Sequence, residues 1–507
     1  MKRAVGRDTF FLSGIQLGTQ ALGLMLNVFL TRRLGSEAVG MVALISSFFW
    51  LCSVFASGNG FVAASRFVAE EIGRGTGNPR RMLLHCASLS MLMSVIVSTL
   101  ICVAAPLFAE RALHDPTAKT AIYLLAATLP FSSVTACLKG YFHAYRQVLR
   151  PAFADTLEFL VRGAMMAFSV GFLIPQGRCG VMTALSWSML IGQLCAFLIL
   201  LVSFLSAERS SGTCTIRFPQ YLFAAAPVMI NSYVTSVLST ANDALIPLTL
   251  QQFGHTSADA LSQFGLFDAI LLPALFFPSV ILSCLSCILV PELSRERAAG
   301  NTGKVCGLIR KGIRTTLVFS TFVMLFVFLC GDTIGTLVGG TPFAGRMLRC
   351  LAPVVPFIYL EIVLEAILRG MGKQNLSSLN YIAEYVIRIS VLLICVPLFG
   401  FYGLLASYYA SNVVGNCVRL AAVARLCRSH ITWKPLLVPP VLSALLTWQL
   451  SALLLHLPFL QGLSPILQLI GFVLFGGLLY IFLVHYTEAL CTPSQSTVKK
   501  EKIPTAV

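Results

Sequence analysis

Two stretches of the chain place a glutamate and an arginine four residues apart: Glu158-Phe159-Leu160-Val161-Arg162 and Glu384-Tyr385-Val386-Ile387-Arg388. On a helix such residues lie one above the other, so each carboxylate can neutralise its arginine. Two readings stay open. Each pair is a structural ion pair, or each guanidinium keeps a free face for a phosphate or pyrophosphate, which its planar fork of donors suits. A third motif sets Glu361 and Glu365 one turn apart, with Arg369 a further turn along. Shielded from water, two such carboxyls could bind a coupling proton or Na⁺; otherwise Arg369 and the aqueous interface neutralise them.

Polar residues form stripes at helical spacing. Ser13, Gln16, Gln20 and Asn27 make one, Asn231, Thr235, Ser239, Asn242 and Asp243 a second, and Asn412, Asn416 and Arg419 a third. Such stripes must face protein or water. They serve either as interhelical hydrogen bonds or as walls of a polar cavity. No phosphate-cradling glycine motif or metal-binding histidine pair occurs in the sequence. The one C-x-x-C, Cys284-Leu285-Ser286-Cys287, reads as small-residue packing within a helix. No enzyme activity, metal or cofactor is expected, beyond H⁺ or Na⁺ as a coupling ion.

The elements that must position these residues follow from composition. Of 507 residues, 57% are hydrophobic and only 11% are charged, and the mean hydropathy is +0.84. No soluble chain of this length could bury so much apolar surface. About 20 apolar residues cross a bilayer, and the sequence divides into stretches of that kind over 9–31, 38–60, 83–109, 120–143, 152–174, 180–205, 221–249, 264–290, 315–338, 346–368, 377–398, 401–424, 436–456 and 464–486. They lack the period of two that barrel strands show. The expected fold is therefore an all-α polytopic membrane protein with 14 transmembrane helices.

With the N-terminus inside, 26 of the 36 Lys and Arg residues fall in inner segments, seven in outer loops and three within spans. This asymmetry places both termini in the cytoplasm of a multi-pass plasma-membrane protein. The net charge of +16 then reports orientation and contact with anionic bilayer lipids; no nucleic-acid partner is expected. Met1-Lys2-Arg3-Ala4-Val5-Gly6-Arg7 precedes a full-length span and reads as the start of a retained helix.

The chain also repeats itself. Leu138-Lys139-Gly140, followed by Glu158 and Arg162, matches Leu368-Arg369-Gly370, followed by Glu384 and Arg388. Ser65-Arg66-Phe67-Val68-Ala69-Glu70 and Pro291-Glu292-Leu293-Ser294-Arg295 echo each other after spans 2 and 8. A shift of six helices preserves orientation, so the copies should be related by a pseudo-two-fold along the membrane normal. The expected organisation is a first lobe over 1–206, a cytoplasmic linker over 207–220, a second lobe over 221–427, helices 13 and 14 over 428–486 and a tail over 487–507. Prolines 130, 227, 247, 273, 278, 353 and 356 lie inside spans and are candidate bends.

Several ordered motifs resemble a known family. These are Arg33-Leu34-Gly35-Ser36-Glu37-Ala38-Val39-Gly40, Ala225-Ala226-Pro227-Val228, Asn242-Asp243-Ala244-Leu245-Ile246-Pro247-Leu248, Val290-Pro291-Glu292-Leu293-Ser294 and Ile367-Leu368-Arg369-Gly370-Met371-Gly372-Lys373. They are similar to the stage V sporulation protein B group of the multidrug/oligosaccharidyl-lipid/polysaccharide (MOP) exporter superfamily, over roughly residues 9 to 427. The resemblance implies a two-lobed, MATE-like transporter working by alternating access on a lipid-linked sugar, with the head group in a central cavity. Helices 13 and 14 resemble the extra pair of the lipid II flippases. Those proteins, however, carry arginines where this chain has Gln20, Leu26 and a residue near Ser53. A generic lipid-linked oligosaccharide is thus implied, with the choice between lipid II and another lipid-linked sugar left open.

The function expected from all of this is flipping of a lipid-linked oligosaccharide or polysaccharide precursor in envelope or spore-wall assembly. Arg162 and Arg388, with Arg33 or Arg419, would contact the pyrophosphate. Asn27, Asn242 and Asp243 would contact sugar or organise the cavity, and Glu158 and Glu384 would hold the arginines. Glycosyltransferases of envelope biosynthesis are the expected protein partners. The alternative is an organic-cation antiporter driven by H⁺ or Na⁺ through Asp243, Glu361 or Glu365. A non-transporting scaffold for envelope enzymes is the third class.

Overall fold

The computed structural model describes residues 2–73, 78–111, 118–169, 178–206, 218–426, 434–455 and 465–491. Among these residues every regular element is helical. In chain order they are α1 (Lys2–Leu34), α2 (Ser36–Ser57), α3 (Gly60–Gly73), α4 (Pro79–Arg111), α5 (Ala118–Ala144), α6 (Leu149–Ser169), α7 (Arg178–Leu205), α8 (Phe218–Gln252), α9 (Ser257–Leu266), α10 (Leu272–Phe276), α11 (Val280–Ala298), α12 (Thr302–Gly339), α13 (Pro342–Leu351), α14 (Val355–Gly370), α15 (Gln374–Phe399), α16 (Phe401–Leu426), α17 (Lys434–Leu455), α18 (Pro465–Gly471) and α19 (Gly477–Cys491). Among the described residues, each apolar stretch of the sequence falls on one of these helices or on a run of successive helical pieces.

Nine helical segments among the described residues are long and apolar enough to cross a membrane, ten with the bent pair Phe218–Pro227 and Met229–Gln252. Three further stretches, on α1, α6 and α16, carry Gln, Asn, Glu and Arg within their lengths and are correspondingly less apolar. The linker expected over 207–220 and the tail beyond Cys491 lie largely outside the described residues.

The prolines act locally, as their chemistry requires. Pro227 accompanies the 40° bend in α8. Ahead of Pro273 the chain takes one π-helical turn, Phe267–Leu271, in which the Leu272 N–H reaches back to the Phe267 carbonyl. A proline ring displaces the carbonyl of the preceding turn, and a widened turn absorbs it. Pro278 and Pro353 sit in 3₁₀ turns, Phe277–Ser279 and Ala352–Val354. Pro130 and Pro247 lie within continuous helix. Caps delimit two short helices. Thr256 accepts from the Asp259 N–H at the start of α9, and Thr341 does the same for Ala344 at α13, with Pro342 as the first helical residue.

The chain forms two compact units. The first comprises Met1–Cys284, Val338–Gly340 and Ser378–Gly415; the second comprises Leu285–Leu337, Thr341–Ser377 and Asn416–Val507.

Within the first unit, α5 packs on α3 at Gly140, where an added Cβ would meet the Phe61 carbonyl and would lie 2.9 Å from Ala64 Cβ. Phe67, Val68, Cys86, Leu138, Tyr141, Leu200 and Tyr221 are among the buried residues of the core there. Within the second unit, α14 packs on α11 at Gly370, where a Cβ would lie 3.0 Å from Leu293 Cβ and from the Val290 carbonyl. The two glycines of the sequence repeat thus do the same work: each seats its helix against the helix carrying the echoed motif. The equivalence extends to helices that the sequence motifs did not include. Gly192 of α7 approaches Glu158 and Arg162 of α6, and Gly415 of α16 abuts Glu384 of α15.

Candidate functional site

In the first unit a polar cluster forms where α2, α8, the π-helical turn, α15 and α16 meet. Asp243 of α8 is its centre. Ser47 of α2 donates its hydroxyl to Asp243 Oδ2 at 2.6 Å, and Thr240 donates to the Ser47 carbonyl at 3.3 Å. The Asn242 amide donates to Asp243 Oδ1 at 3.2 Å. Asn242 is only 2% exposed, and its Oδ1 has no hydrogen-bond partner.

Arg388 lies in the same cluster. Its guanidinium is within electrostatic reach of Asp243, its Nε donates to Ser411 Oγ at 3.0 Å, and its Cζ stands 4.3 Å from the Tyr408 ring centre and 5.1 Å from that of Tyr385. Cation–π attraction therefore holds it on two faces. Tyr385 in turn donates to Ser239 Oγ at 3.3 Å, and Phe267 packs edge-on against Tyr408 at 4.9 Å.

The π-helical turn brings in Asp268, whose carboxylate interacts electrostatically with Asp243 and with the Tyr408 phenol. Asn27 of α1 donates to the neighbouring Ala269 carbonyl at 2.9 Å. Asp268 is absent from the residues picked out by the sequence. The signal was there, because it is the one charged residue between 264 and 290 and stands five positions before Pro273. Ser47 and Tyr408 gave no such signal, being ordinary for membrane helices.

Arg162 has different surroundings. The spacing suggested an ion pair with Glu158, but Glu158 is taken by Lys139 of α5, at 3.6 Å. Lys139 also reaches Asp155 at 2.5 Å. Arg162 lies over the ring of Phe159, 5.9 Å from its centre, and among the described residues it has no ion-pair partner. The physical reason is competition: a lysine one helix away reaches the carboxylate, so the local i,i+4 geometry is not used. Glu384, the repeat counterpart of Glu158, is 4% exposed and packs against Gly415, whose carbonyl accepts from Asn380 at 3.3 Å. Arg33 stands exposed in the last turn of α1, where its charge complements the helix C-terminus.

The remaining candidates gather in the second unit. Arg419 is fully buried, with Nη2 3.1 Å from Glu361 Oε1 and 3.7 Å from Glu365 Oε1. Glu365 is also held by Arg369 and by the Ser377 hydroxyl at 2.9 Å. Asn416 donates to the Phe357 carbonyl at 3.0 Å. The carboxyl pair that could have carried a coupling ion is thus met by two arginines, one of them from α16 rather than from its own helix.

Comparisons with known proteins agree with this architecture. The profile of the family described as "Polysaccharide biosynthesis protein" matches residues 5–297, and a second, MatE, matches residues 248–394. The chain is similar to stage V sporulation protein B of Bacillus subtilis (strain 168), with 21% identity over 95% of both chains. It is also similar to sporulation protein YkvU of the same organism, with 20% identity over 74% of this chain and 84% of that one. Among solved structures, the lipid II flippase MurJ in an inward closed conformation superposes with a TM-score of 0.71 at 13% identity, covering 95% of this chain and all of that one. An inward-facing MATE family transporter of the MOP superfamily gives 0.66 at 16% identity, covering 81% and 96%. The chain belongs to the polysaccharide biosynthesis protein family and is a multi-pass membrane protein that shares the fold of these flippase and transporter structures.

Proposed function

We propose that the protein carries a lipid-linked oligosaccharide or polysaccharide precursor from the inner to the outer leaflet by alternating access, with Arg162 receiving the cargo's phosphate or pyrophosphate. One observation carries this reading. Glu158 is committed to Lys139, which leaves within α6 a permanently charged guanidinium lying over the aromatic face of Phe159. A cation in a low-dielectric span is costly unless an anion meets it. Phosphate oxygens meet a guanidinium bidentately. The name of the similar lipid II flippase supports a lipid-linked cargo, and the basic bias of one set of loops supports cytoplasmic termini, on the side where glycosyltransferases would load such a cargo.

The test is reconstitution of the full chain in vesicles carrying a labelled lipid-linked oligosaccharide. Arg162→Ala, inserted at the normal level, lowers translocation at least tenfold (about 1.4 kcal/mol). Unchanged translocation removes Arg162 from the cargo site.

The acidic cluster of Asp243 and Asp268 favours a cation as part of the cycle, as an H⁺- or Na⁺-coupled antiporter would need. Of the candidate coupling residues, Asp243 suits this role better than Glu361 and Glu365, which already face Arg419 and Arg369. Organic-cation efflux that persists in Arg162→Ala while glycolipid movement is absent in the wild type would favour the antiporter.

A further inference from the structure

Among the described residues, α5, α8, α11 and α14 end in one backbone motif. A residue with positive φ gives its N–H to the carbonyl three positions back, and the next residue gives its N–H to the carbonyl five back. Such an ending is usually built on glycine. Three of the four follow that preference, with Gly254, Gly300 and Gly372 at φ of 112°, 72° and 65°. The exception is Arg146, at φ 59°. Its N–H meets the His143 carbonyl and that of Gln147 the Phe142 carbonyl, both at 2.9 Å. A residue with a Cβ is strained in this conformation, and glycine is not. The turn itself gains nothing from arginine, which leaves the guanidinium as the reason for the residue.

Arg150 is a second cation at a place that does not favour one. It stands in the first turn of α6, which holds no acid and where the helix dipole repels positive charge. The first acid along α6, Asp155, is held by Lys139 at 2.5 Å. Arg150 lies over the Phe142 ring, 5.3 Å from its centre. Arg146 and Arg150 are both exposed, and among the described residues neither has an ion-pair partner. Beside them α6 turns an apolar stripe outward: Leu149, Phe153 and Leu160 are exposed, Phe153 by 61%. At about 100° per residue, this stripe lies opposite Glu158 and the buried Pro151.

We propose that Arg146 and Arg150 form a binding site for the phosphate of an anionic phospholipid, in the leaflet on the side of the basic loops. An acyl chain of the same lipid lies along Leu149, Phe153 and Leu160. The phosphate diester accepts hydrogen bonds from both guanidinium groups and removes the repulsion between Arg150 and the α6 dipole. The adjoining apolar stripe selects a lipid over a free anion or a soluble acidic chain, neither of which covers it. Lipid binding offsets the conformational cost at Arg146, so the turn joining α5 to α6 is most stable in an anionic membrane. The site uses the face of α6 away from Glu158 and is independent of the cargo.

The test follows thermal unfolding of the full chain, delipidated in dodecylmaltoside, as phosphatidylglycerol or phosphatidylcholine is added. The wild type gains a saturable rise in melting temperature with phosphatidylglycerol alone. Arg146→Gly separates strain from binding. Without lipid it melts above the wild type. Its half-saturating phosphatidylglycerol concentration is at least about tenfold higher, as loss of one charge-assisted hydrogen bond requires. Arg150→Gln shows the same loss of affinity. Arg146→Lys, which keeps both the charge and the strain, retains a saturable response. Arg81→Gln, at an exposed arginine of another basic loop, stays near the wild-type affinity. The proposal is overturned if the wild type does not respond to phosphatidylglycerol, or if Arg146→Gly keeps the wild-type affinity or melts below the wild type without lipid. It is equally overturned if Arg81→Gln loses as much as Arg150→Gln, or if inorganic phosphate or polyglutamate produces the same saturable rise. None of these outcomes bears on Arg162.

Discussion

Glu158 is ion-paired across helices to Lys139 at 3.6 Å, and not to Arg162 one turn along its own helix. That choice decides the electrostatics of the first unit. A carboxylate closing on Arg162 would silence it as an anion receptor, whereas a carboxylate held by Lys139 leaves the guanidinium available.

It follows that Lys139→Met should lower transport without touching the cargo. Freed from its lysine, Glu158 turns to Arg162, the i,i+4 partner it already lies beside, and competes with phosphate. We expect translocation in vesicles to fall about tenfold, since about 1.4 kcal/mol of competition suffices. Glu158→Gln in the same background restores it, because the competing charge is gone. If Lys139→Met matches the wild type, or the double variant is as slow as the single, the cross-helix pair does not govern Arg162.

The network in the second unit has the opposite character. Arg419, with no exposed surface, is shared between Glu361 and Glu365. Removing one partner of a buried pair leaves charge without compensation, at a cost of about 3–5 kcal/mol. Arg419→Met should therefore depress the melting temperature of the purified protein sharply. Combining it with Glu361→Gln and Glu365→Gln should recover most of the loss, because no carboxylate is then left facing an absent arginine. Equal instability of the single and triple variants would mean that packing around the Arg419 stem matters more than its charge.

Close helix contacts give a steric prediction. At Gly40 of α2 an added Cβ would run into the Leu261 carbonyl of α9, and at Gly265 into the backbone of Gly40 and Ser36. Beside this crossing Ser36 and Ser262 share a hydrogen bond of 2.5 Å. The obstructing atoms are backbone, so they cannot rotate away, and overpacking of this kind costs about 1–3 kcal/mol. Gly40→Ala should lower the melting temperature. Gly307→Ala, at a position of α12 with nothing within 4 Å, should raise it slightly by helix propensity, about 0.5–1 kcal/mol. Differential scanning fluorimetry of the two variants separates the cases.

What could be read from the sequence, and what could not, divides along physical lines. Helices were legible because a span must be apolar over its whole length, a property that any window of residues records. The repeat was legible too, and the glycine after Lys139 and the one after Arg369 do turn out to seat their helices in the same way. The pairing of Glu158 was not legible. Spacing on one helix shows which partners are within reach, but the competitor, Lys139, arrives from α5 through tertiary packing. Arg419 and Glu361, 58 positions apart, met for the same reason. Asp268 escaped notice because a lone acid in an apolar run has no periodicity to flag it. Its placement depends on a π-helical turn that only the backbone reveals.

That turn supports a last prediction. A π-helical turn accommodates one extra residue, so it shifts the facing of what precedes it by about 100° relative to a regular helix. Phe267–Leu271 makes this shift just ahead of Pro273, and Asp268 sits inside it, within electrostatic reach of Asp243. Proline at 273 cannot donate to the preceding turn, and its ring keeps the carbonyls there apart. Pro273→Ala restores the missing N–H and lets the segment relax to α-helix, which swings Asp268 away from Asp243. If transport uses the acidic pair, Pro273→Ala should slow it to the same extent as Asp268→Asn. The double variant should be no slower than either single, because both remove the same interaction. Multiplicative losses in that cycle would show that Pro273 acts through bending of the span and not through the position of Asp268.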